Sequence, residues 1–350
     1  MPAINLLPVL IFIIKKVFGK NTASRLLKLL SKNESFYHVN SIYDFDEKKS
    51  VKHLVLLLPG KGCAWAQKTG GCTMCGFSQK IRQIGKNFTA QDLIALYKIT
   101  EIMTEEDKPY TLSIYNAGSF INNEEIPLEV QKIICQRIKQ HPTIKKLVIE
   151  SRAEFVTDDK IKFLKKGLGE KLLIISIGLE TQNDKIRNIY IKKGLSKETY
   201  ENALKIIKQN GARSLTYIFI KPIYLNEREA IDEAINTAKY AFGAGSNEVA
   251  FESAFIQEGT VMEQFYRRGE FRPPWLWSII EVIKGTCNLG DVRLGGFEDE
   301  PPPIAIPSNC SKCSEKIEEM MQKYREINDI KLFDNLDCEC KKEWQKSVKL

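Results

Sequence analysis

Short apolar runs alternate with amphipathic stretches at a steady spacing from about residue 52 onward, and few folds accommodate that rhythm. The runs Lys52–Pro59, Tyr110–Tyr115, Lys145–Glu150, Leu172–Gly178, Ser214–Ile220 and Asn247–Glu252 read as strands, with a further one near Asp291–Leu294. Helices are predicted between them at Thr89–Met103, Pro127–Gln140, Thr157–Lys166, Lys197–Gln209 and Glu227–Phe242. Thr157 ahead of Asp158 and Asp159 is a start signal, and Asn210-Gly211 a stop signal. Alternating strand and helix predicts a parallel sheet with right-handed crossovers. About six such units are too few to close an eight-fold barrel, so the expected fold is α/β, a partial (β/α)6 barrel. With 350 residues and 43% hydrophobic content, the chain can bury one such core and an appendage. Three parts are expected: an N-terminal amphipathic helical extension over 1–50, the barrel over 51–295, and a C-terminal region over 296–350.

The extension begins with an apolar run, Ile4 to Ile14, followed by Lys15 and Lys16. Eleven residues are too short to cross a hydrocarbon core of roughly 30 Å as a helix. The charge order is also wrong for a signal peptide. Ala23 to Leu30 continues with helical periodicity, so a pair of amphipathic helices packed on the main body is expected, with peripheral membrane contact as the alternative. No transmembrane segment is expected.

Cys63, Cys72 and Cys75 lie in a glycine-rich stretch, Pro59-Gly60-Lys61-Gly62-Cys63 and then Gly70-Gly71-Cys72-Thr73-Met74-Cys75-Gly76, directly after the first predicted strand. A cubane [4Fe-4S] cluster normally takes four thiolates, so three leave one iron open. Glycines suit a loop that wraps closely round such a group. The competing readings are a zinc knuckle lacking its fourth ligand, or thiols packed in a core. Few histidines are at hand to complete a zinc site, since the chain has only His38, His53 and His141. The nine cysteines cluster at ligand-like spacings, which favours metal binding in a reducing cytoplasm over disulfides.

The triad resembles that of the radical SAM enzymes, whose usual spacing is C-x3-C-x2-C; here the first gap is stretched to give C-x8-C-x2-C. A stretched first gap also occurs in the Elongator catalytic subunit group. The resemblance implies that the open iron chelates S-adenosylmethionine and that the cofactor supplies a 5'-deoxyadenosyl radical. Strand-end segments offer it a cradle. Gly118 and Ser119 follow the second strand and allow close backbone approach. Glu150 and Arg152 follow the third and offer an acceptor and a planar donor, and Gly178 and Glu180 follow the fourth. A local Glu150–Arg152 ion pair is the alternative.

Taken together, Gly62-Cys63-Ala64-Trp65, Gly71 to Gly76, Gly118-Ser119-Phe120, Glu150 to Phe155, Gly178-Leu179-Glu180-Thr181 and Arg272-Pro273-Pro274-Trp275-Leu276-Trp277 resemble the archaeosine-biosynthesis radical SAM protein family, RaSEA, over about residues 52 to 345. The resemblance implies that Cys63, Cys72 and Cys75 bind the cluster and that Gly118, Ser119, Glu150, Arg152, Gly178 and Glu180 surround S-adenosylmethionine. It implies radical lyase cleavage of a carbon–nitrogen bond in the lysine adduct of 7-cyano-7-deazaguanine in tRNA. It also implies a lysine-transferring archaeosine synthase subunit as partner. A radical that removes an unactivated hydrogen needs no histidine base, in keeping with the three histidines, and no catalytic acid or base is assigned. Neither the hydrogen abstracted nor the electron donor is legible. The alternatives are a radical SAM enzyme acting on another RNA or a small molecule, and a zinc-containing RNA-binding protein.

Cys310-x2-Cys313 and Cys338-x-Cys340 form a second set, with a helix expected over Ser314–Asn328 between the pairs. Four thiolates suit a closed structural zinc site, and an auxiliary [4Fe-4S] cluster is the rival. Cys135 and Cys287 read as small buried residues. The net charge of +8 is compatible with tRNA. Lysine pairs at 145–146, 165–166 and 192–193, with Arg267, Arg268 and Arg272, are candidate RNA contacts, and Trp275 and Trp277 are expected to pack in the core. The acidic Glu298-Asp299-Glu300 segment would repel phosphate.

Overall fold

The computed structural model describes residue 22 and residues 36–297 and 302–349. The N-terminal amphipathic helices and the Glu298–Glu300 segment lie outside the described residues.

The chain enters as an antiparallel hairpin. Strand β1 (Tyr37–Asp44) pairs with β2 (Lys49–Leu57) from Tyr37 opposite Leu56 to Asp44 opposite Lys49. Asp44 caps the turn by accepting from the backbone N–H groups of Asp46 and Glu47 at 3.1 and 2.9 Å. Residues 37–44, which the sequence reading placed in a helical extension, are therefore strand. Alternation there is weak because most of β1 is only half-buried.

From β2 the sheet runs in sequence order. β3 (Thr111–Tyr115), β4 (Lys146–Ser151), β5 (Leu172–Glu180), β6 (Arg213–Ile220), β7 (Glu248–Ser253) and β8 (Asp291–Leu294) each pair in parallel with the strand before. Helices separate them. Two short ones, α1 (Ala64–Thr69) and α2 (Phe77–Gly85), precede α3 (Ala90–Met103). Then come α4 (Leu128–Gln140), α5 (Asp158–Leu168), α6 (Lys197–Gln209), α7 (Glu227–Gly243), α8 (Val261–Arg267) and α9 (Leu276–Thr286). The result is a partial barrel, as expected, with an antiparallel strand added at one edge. Thr157 occupies the N-cap of α5 without a side-chain hydrogen bond, whereas Thr89 and Asn226 form full capping boxes on α3 and α7.

Alternation along each strand divides the residues between two environments. Leu54, Leu56, Leu112, Ile114, Leu147, Ile149, Leu173 and Ile175 pack under the helices with Leu96, Ile134, Ile161 and Leu164. Val148, Ile174, Leu215 and Ala250 form a small separate cluster on the other face, inside the barrel. Below them the interior is charged. Lys146 at the start of β4 pairs with Asp44 at 2.7 Å and with Asp46. Arg213 at the start of β6 reaches Asp46 at 2.6 Å and both Glu248 and Asp291 at 3.3 Å. Arg293 joins Glu248 at 2.6 Å and donates to the Tyr43 carbonyl at 3.0 Å. This network ties the hairpin turn across the amino ends of four strands. Lys146 is thereby buried and unavailable to phosphate, which corrects half of the 145–146 reading.

After β8, helix α10 (Ser314–Ile327) packs against β1, β2 and β8, spanning the edge between the sheet's two ends. Arg325 from α10 donates to the Gly295 carbonyl at 3.1 Å. A terminal helix, α11 (Lys341–Lys349), buries Trp344 beside α9. Among the described residues no helix is long and apolar enough to cross a membrane.

Replacing Lys146 by Met should leave Asp44, 1% exposed, as an unpaired buried carboxylate. The expected cost is about 3–5 kcal/mol, read as a lowered urea midpoint with an unchanged m value.

Candidate active site at the carboxyl ends of the strands

The cysteine loop leaves the carboxyl end of β2 and is held there by groups from distant parts of the chain. Cys63 N–H donates to Ser78 Oγ at 3.2 Å, Gly76 N–H to Gln257 Oε1 at 2.7 Å, and Thr73 N–H to the Ile191 carbonyl at 2.9 Å. The stretched gap between Cys63 and Cys72 is α1 itself, closed by Gly70 and Gly71 at φ of 88° and 87°. Only glycine takes such angles without strain. The indole of Trp65 on α1 donates to the Lys192 carbonyl at 2.9 Å and lies under Arg152, 4.9 Å from guanidinium carbon to ring centroid. The insertion is thus a built element that reaches across to the loop after β5.

All three thiols are half-buried. Burial raises each pKa, most strongly for Cys75, which burial and the neighbouring Cys72 and Cys63 push up to about 12. They do not form a single-ion site: among the described residues, the C-terminal cysteines are the set of three or more ligand-type residues with donor atoms all within 4.8 Å. A cubane spaces its ligand sulfurs more widely than one ion does.

The strand-end residues converge on this loop. Glu150 Oε1 accepts from the N–H groups of Asn116 at 2.8 Å and Gly118 at 3.4 Å, and burial pushes its carboxyl up to about 7 against those bonds. Gly118 packs so tightly that a Cβ there would lie 1.9 Å from Glu125 Oε2 and 3.1 Å from Cys63 Cα. Ser119 Oγ accepts from Arg152 N–H at 3.0 Å, so its hydroxyl oxygen holds the backbone. Arg152 pairs with Glu154 and donates to the Gly194 carbonyl at 3.2 Å; the Glu150–Arg152 ion pair does not form. A Cβ at Gly178 would meet Glu180 Oε1 at 2.3 Å and Lys193 Nζ at 2.4 Å, atoms that pair at 2.6 Å beside Cys72. Burial works against the Lys193 charge, but Glu180 and Cys72 together hold the amine above its ordinary value. Lys193 therefore faces inward and is no phosphate contact.

Three functional candidates were not legible in the sequence. Glu125 accepts from Ala64 N–H at 3.1 Å, Ser119 N–H at 2.5 Å and Asn122 Nδ2 at 3.0 Å, joining the cysteine loop to the β3 loop. Asn116 Oδ1 is buried with no hydrogen-bond partner, an orphaned acceptor on the same loop. Glu252 near the end of β7 is the third, pushed up to about 8 by burial and by Glu180; Gly295 leaves it room, since a Cβ there would sit 2.1 Å from its carboxylate. Backbone strain gathers on this face too. Ala117, Glu180, Lys192, Lys221 and Tyr224 all have positive φ.

At the C-terminus, Cys310, Cys313, Cys338 and Cys340 close into one set, with sulfur pairs at 3.7, 3.6 and 3.6 Å. A tetrahedral ion with metal–sulfur bonds of about 2.3 Å places its sulfurs about 3.8 Å apart. Trp277 Nε1 donates to Cys340 Sγ at 3.5 Å. Trp275 and Trp277 are core residues, 8% and 3% exposed, as expected. Cys135 is buried and Cys287 half-buried at the end of α9. The candidate RNA arginines all have partners: Arg267 with Glu263, Arg268 with Glu270, and Arg272 with the Ser308 carbonyl and the Trp275 ring.

A sequence-family model described as the radical SAM superfamily matches residues 57–236, from the end of β2 into α7. The chain belongs to the radical SAM superfamily. Its cofactors are S-adenosylmethionine and a [4Fe-4S] cluster, and the three-thiol loop with an orphaned acceptor beside it fits that pair. An uncharacterized protein of Methanocaldococcus jannaschii is 30% identical over 96% of this chain and 92% of its own length. Two proteins named archaeosine synthase subunit beta also match. The one from Methanosarcina acetivorans is 28% identical over 86% of each chain; that from Thermococcus kodakarensis is 27% identical over 83% of this chain and 90% of its own. The family resemblance read from the motifs is thus shown. Among solved structures, the Methanocaldococcus infernus Elp3 matches with a TM-score of 0.47 and 18% identity, over 65% of this chain and 58% of that one.

The raised Glu252 pKa has a sign that can be checked in this radical SAM protein without cofactors. A carboxyl with a folded pKa of about 8 against 4.5 contributes stability below about pH 4.5 that is lost as pH rises towards 8. Replacing Glu252 by Gln should flatten the fall of unfolding free energy across that window, by up to about 1.4 kcal/mol per pH unit, in urea titrations at several pH values.

Proposed function

We propose that this radical SAM enzyme modifies tRNA, cleaving a carbon–nitrogen bond in the lysine adduct of 7-cyano-7-deazaguanine to leave the formamidine of archaeosine. The observation that carries this reading is the match, over more than four-fifths of the chain, to two proteins named archaeosine synthase subunit beta. By the same reading the chain works with a lysine-transferring subunit.

Within that reading Cys63, Cys72 and Cys75 hold the cluster. Bound there, S-adenosylmethionine supplies a 5'-deoxyadenosyl radical on one-electron reduction, able to remove an unactivated hydrogen. The chain's own residues bind and orient. Glu150 keeps the 116–118 turn folded toward the cysteine loop through two backbone N–H groups. Gly118 and Gly178, by lacking a side chain, let Glu125 and the Glu180–Lys193 pair close against the loop, and Asn116 Oδ1 is available as an acceptor. Arg152, fixed by Trp65 and Gly194, and the Glu180–Lys193 pair supply charge beside Cys72. Ser119 acts by positioning Arg152. We assign the C-terminal cysteines to structural zinc, because their 3.6–3.7 Å sulfur spacing suits one tetrahedral ion and is too tight for a cubane.

Two metal measurements separate the centres. Cys72→Ala should lose close to the full complement of four irons and all 5'-deoxyadenosine formation while retaining zinc; Cys313→Ser should lose zinc and retain the iron. Turnover of lysine-modified tRNA to archaeosine by the reduced wild-type enzyme tests the substrate. Absence of product alongside normal 5'-deoxyadenosine formation, with the lysine-transferring subunit present, would sink it.

A further inference from the structure

A cavity of about 920 Å³ opens beyond the end of β6, walled on one side by Lys221 and Tyr224 and on the other by Tyr266, Arg267, Phe271 and Arg272. Its volume lies within the roughly 300–1,000 Å³ of small-ligand sites. It adjoins the cysteine loop: Phe271 belongs to an apolar cluster with Met262 and Ile256 that packs on Cys72 and Met74, and Met262 N–H donates to the Thr73 carbonyl at 3.1 Å. None of its side chains has a part in the cofactor cradle described above.

We propose that this cleft is a nucleotide subsite, in which an unpaired base of the RNA substrate stacks on Tyr224 while the adjoining phosphates bind Arg267 and Arg272. The proposal rests on the RNA reading given under Proposed function and adds where the RNA is gripped.

Tyr224 carries the argument. It is 60% exposed although it is a large ring, and it is held at a φ of 73°, a strained conformation for a bulky residue. Its ring is braced by Tyr190 at 4.8 Å and by Phe265, edge-on, at 5.1 Å. A strained, braced and exposed aromatic at the mouth of a cavity is a stacking platform, and every nucleobase offers a π face to it.

Charge selects the same ligand. The cavity lining carries Lys221, Arg267 and Arg272 against Glu270 alone. Lys221 is committed to the buried Glu227 carboxylate. Arg267 is held less completely: its side chain is 63% exposed, although its partner Glu263 is largely buried. Glu263 also keeps a second bond, from Gly259 N–H at 2.6 Å, when Arg267 turns away. Exchanging Glu263 for a phosphate therefore keeps one backbone hydrogen bond on that carboxylate. Aromatic stacking beside an exchangeable arginine is the pattern by which proteins take unpaired RNA.

Anisotropy titrations of the full chain with a fluorescent tRNA transcript test the proposal. Tyr224→Ala should weaken binding by about 5- to 150-fold with an unchanged salt slope. Arg267→Gln should weaken it and reduce the slope of log K against log salt by about one. Tyr224→Phe should bind as the wild type does. All three should form 5'-deoxyadenosine without RNA at the wild-type rate, which shows that they are folded and loaded. Wild-type affinity in Tyr224→Ala would overturn the subsite and leave the proposed function standing. Labelled polyglutamate binding with the same dependence on Tyr224 would overturn it in favour of an acidic peptide. A wild-type chain that binds no transcript would remove the RNA reading and this subsite together.

Discussion

Parallel pairing of each strand from β2 onward with its successor in the chain is the constraint from which the rest follows. It sends every strand-to-helix loop from β2 to β7 to one end of the barrel, so groups nearly two hundred residues apart meet there. Gly76 can bond Gln257, and Thr73 can bond Tyr190 and Ile191, because those loops have nowhere else to go. The opposite end is shut by charge. Lys146, Arg213 and Arg293 with Asp44, Asp46, Glu248 and Asp291 fill it, and the β1–β2 hairpin is drawn across as a lid. A ligand can therefore approach from the loop end.

Glu125 turns that convergence into a defined site. Its carboxylate accepts from the residue after Cys63 and from Ser119, and Ser119 in turn accepts from Arg152. Three loops are thus linked through two side chains. Burial raises the Glu125 pKa, and the backbone donors work against that by favouring the charged form. The longer first gap does not loosen this arrangement. It folds as α1 and adds Trp65 as a tie to the loop after β5.

The C-terminal cysteines act on the barrel at a distance. Trp277 bonds Cys340, while its neighbour Ser278 bonds Trp344 and the buried Glu227, which holds Lys221 at the end of β6. Cys310 and Cys313 sit at the start of α10, the helix that spans the sheet's open edge. A metal closing those four thiols would fix the position of that helix as well as the local fold. The barrel and the cysteine centre are therefore mechanically one unit.

Strands β2 to β8 and helices α3 to α7 were legible because each carries its own signal, a short β-branched run, an amphipathic period, or a Thr, Asn or Gly at a boundary, whereas the short α1 and α2 of the cysteine loop were not. Half-exposed β1 carried none and was missed. The cysteine spacings pointed to two separate metal centres and to the superfamily, since ligand chemistry is written in residue type and interval. Side-chain partners are not written there. Glu125 and Glu252 look like any surface glutamate in the chain, and Lys146 and Lys193 look like available cations until packing turns them inward onto Asp44 and Glu180. Sequence alone determined the barrel and the place of the cysteine loop after its first parallel strand, because local pattern suffices for both. Only the tertiary structure decided which charges face a ligand and which are consumed in holding the site together, because burial and pairing depend on neighbours far away along the chain.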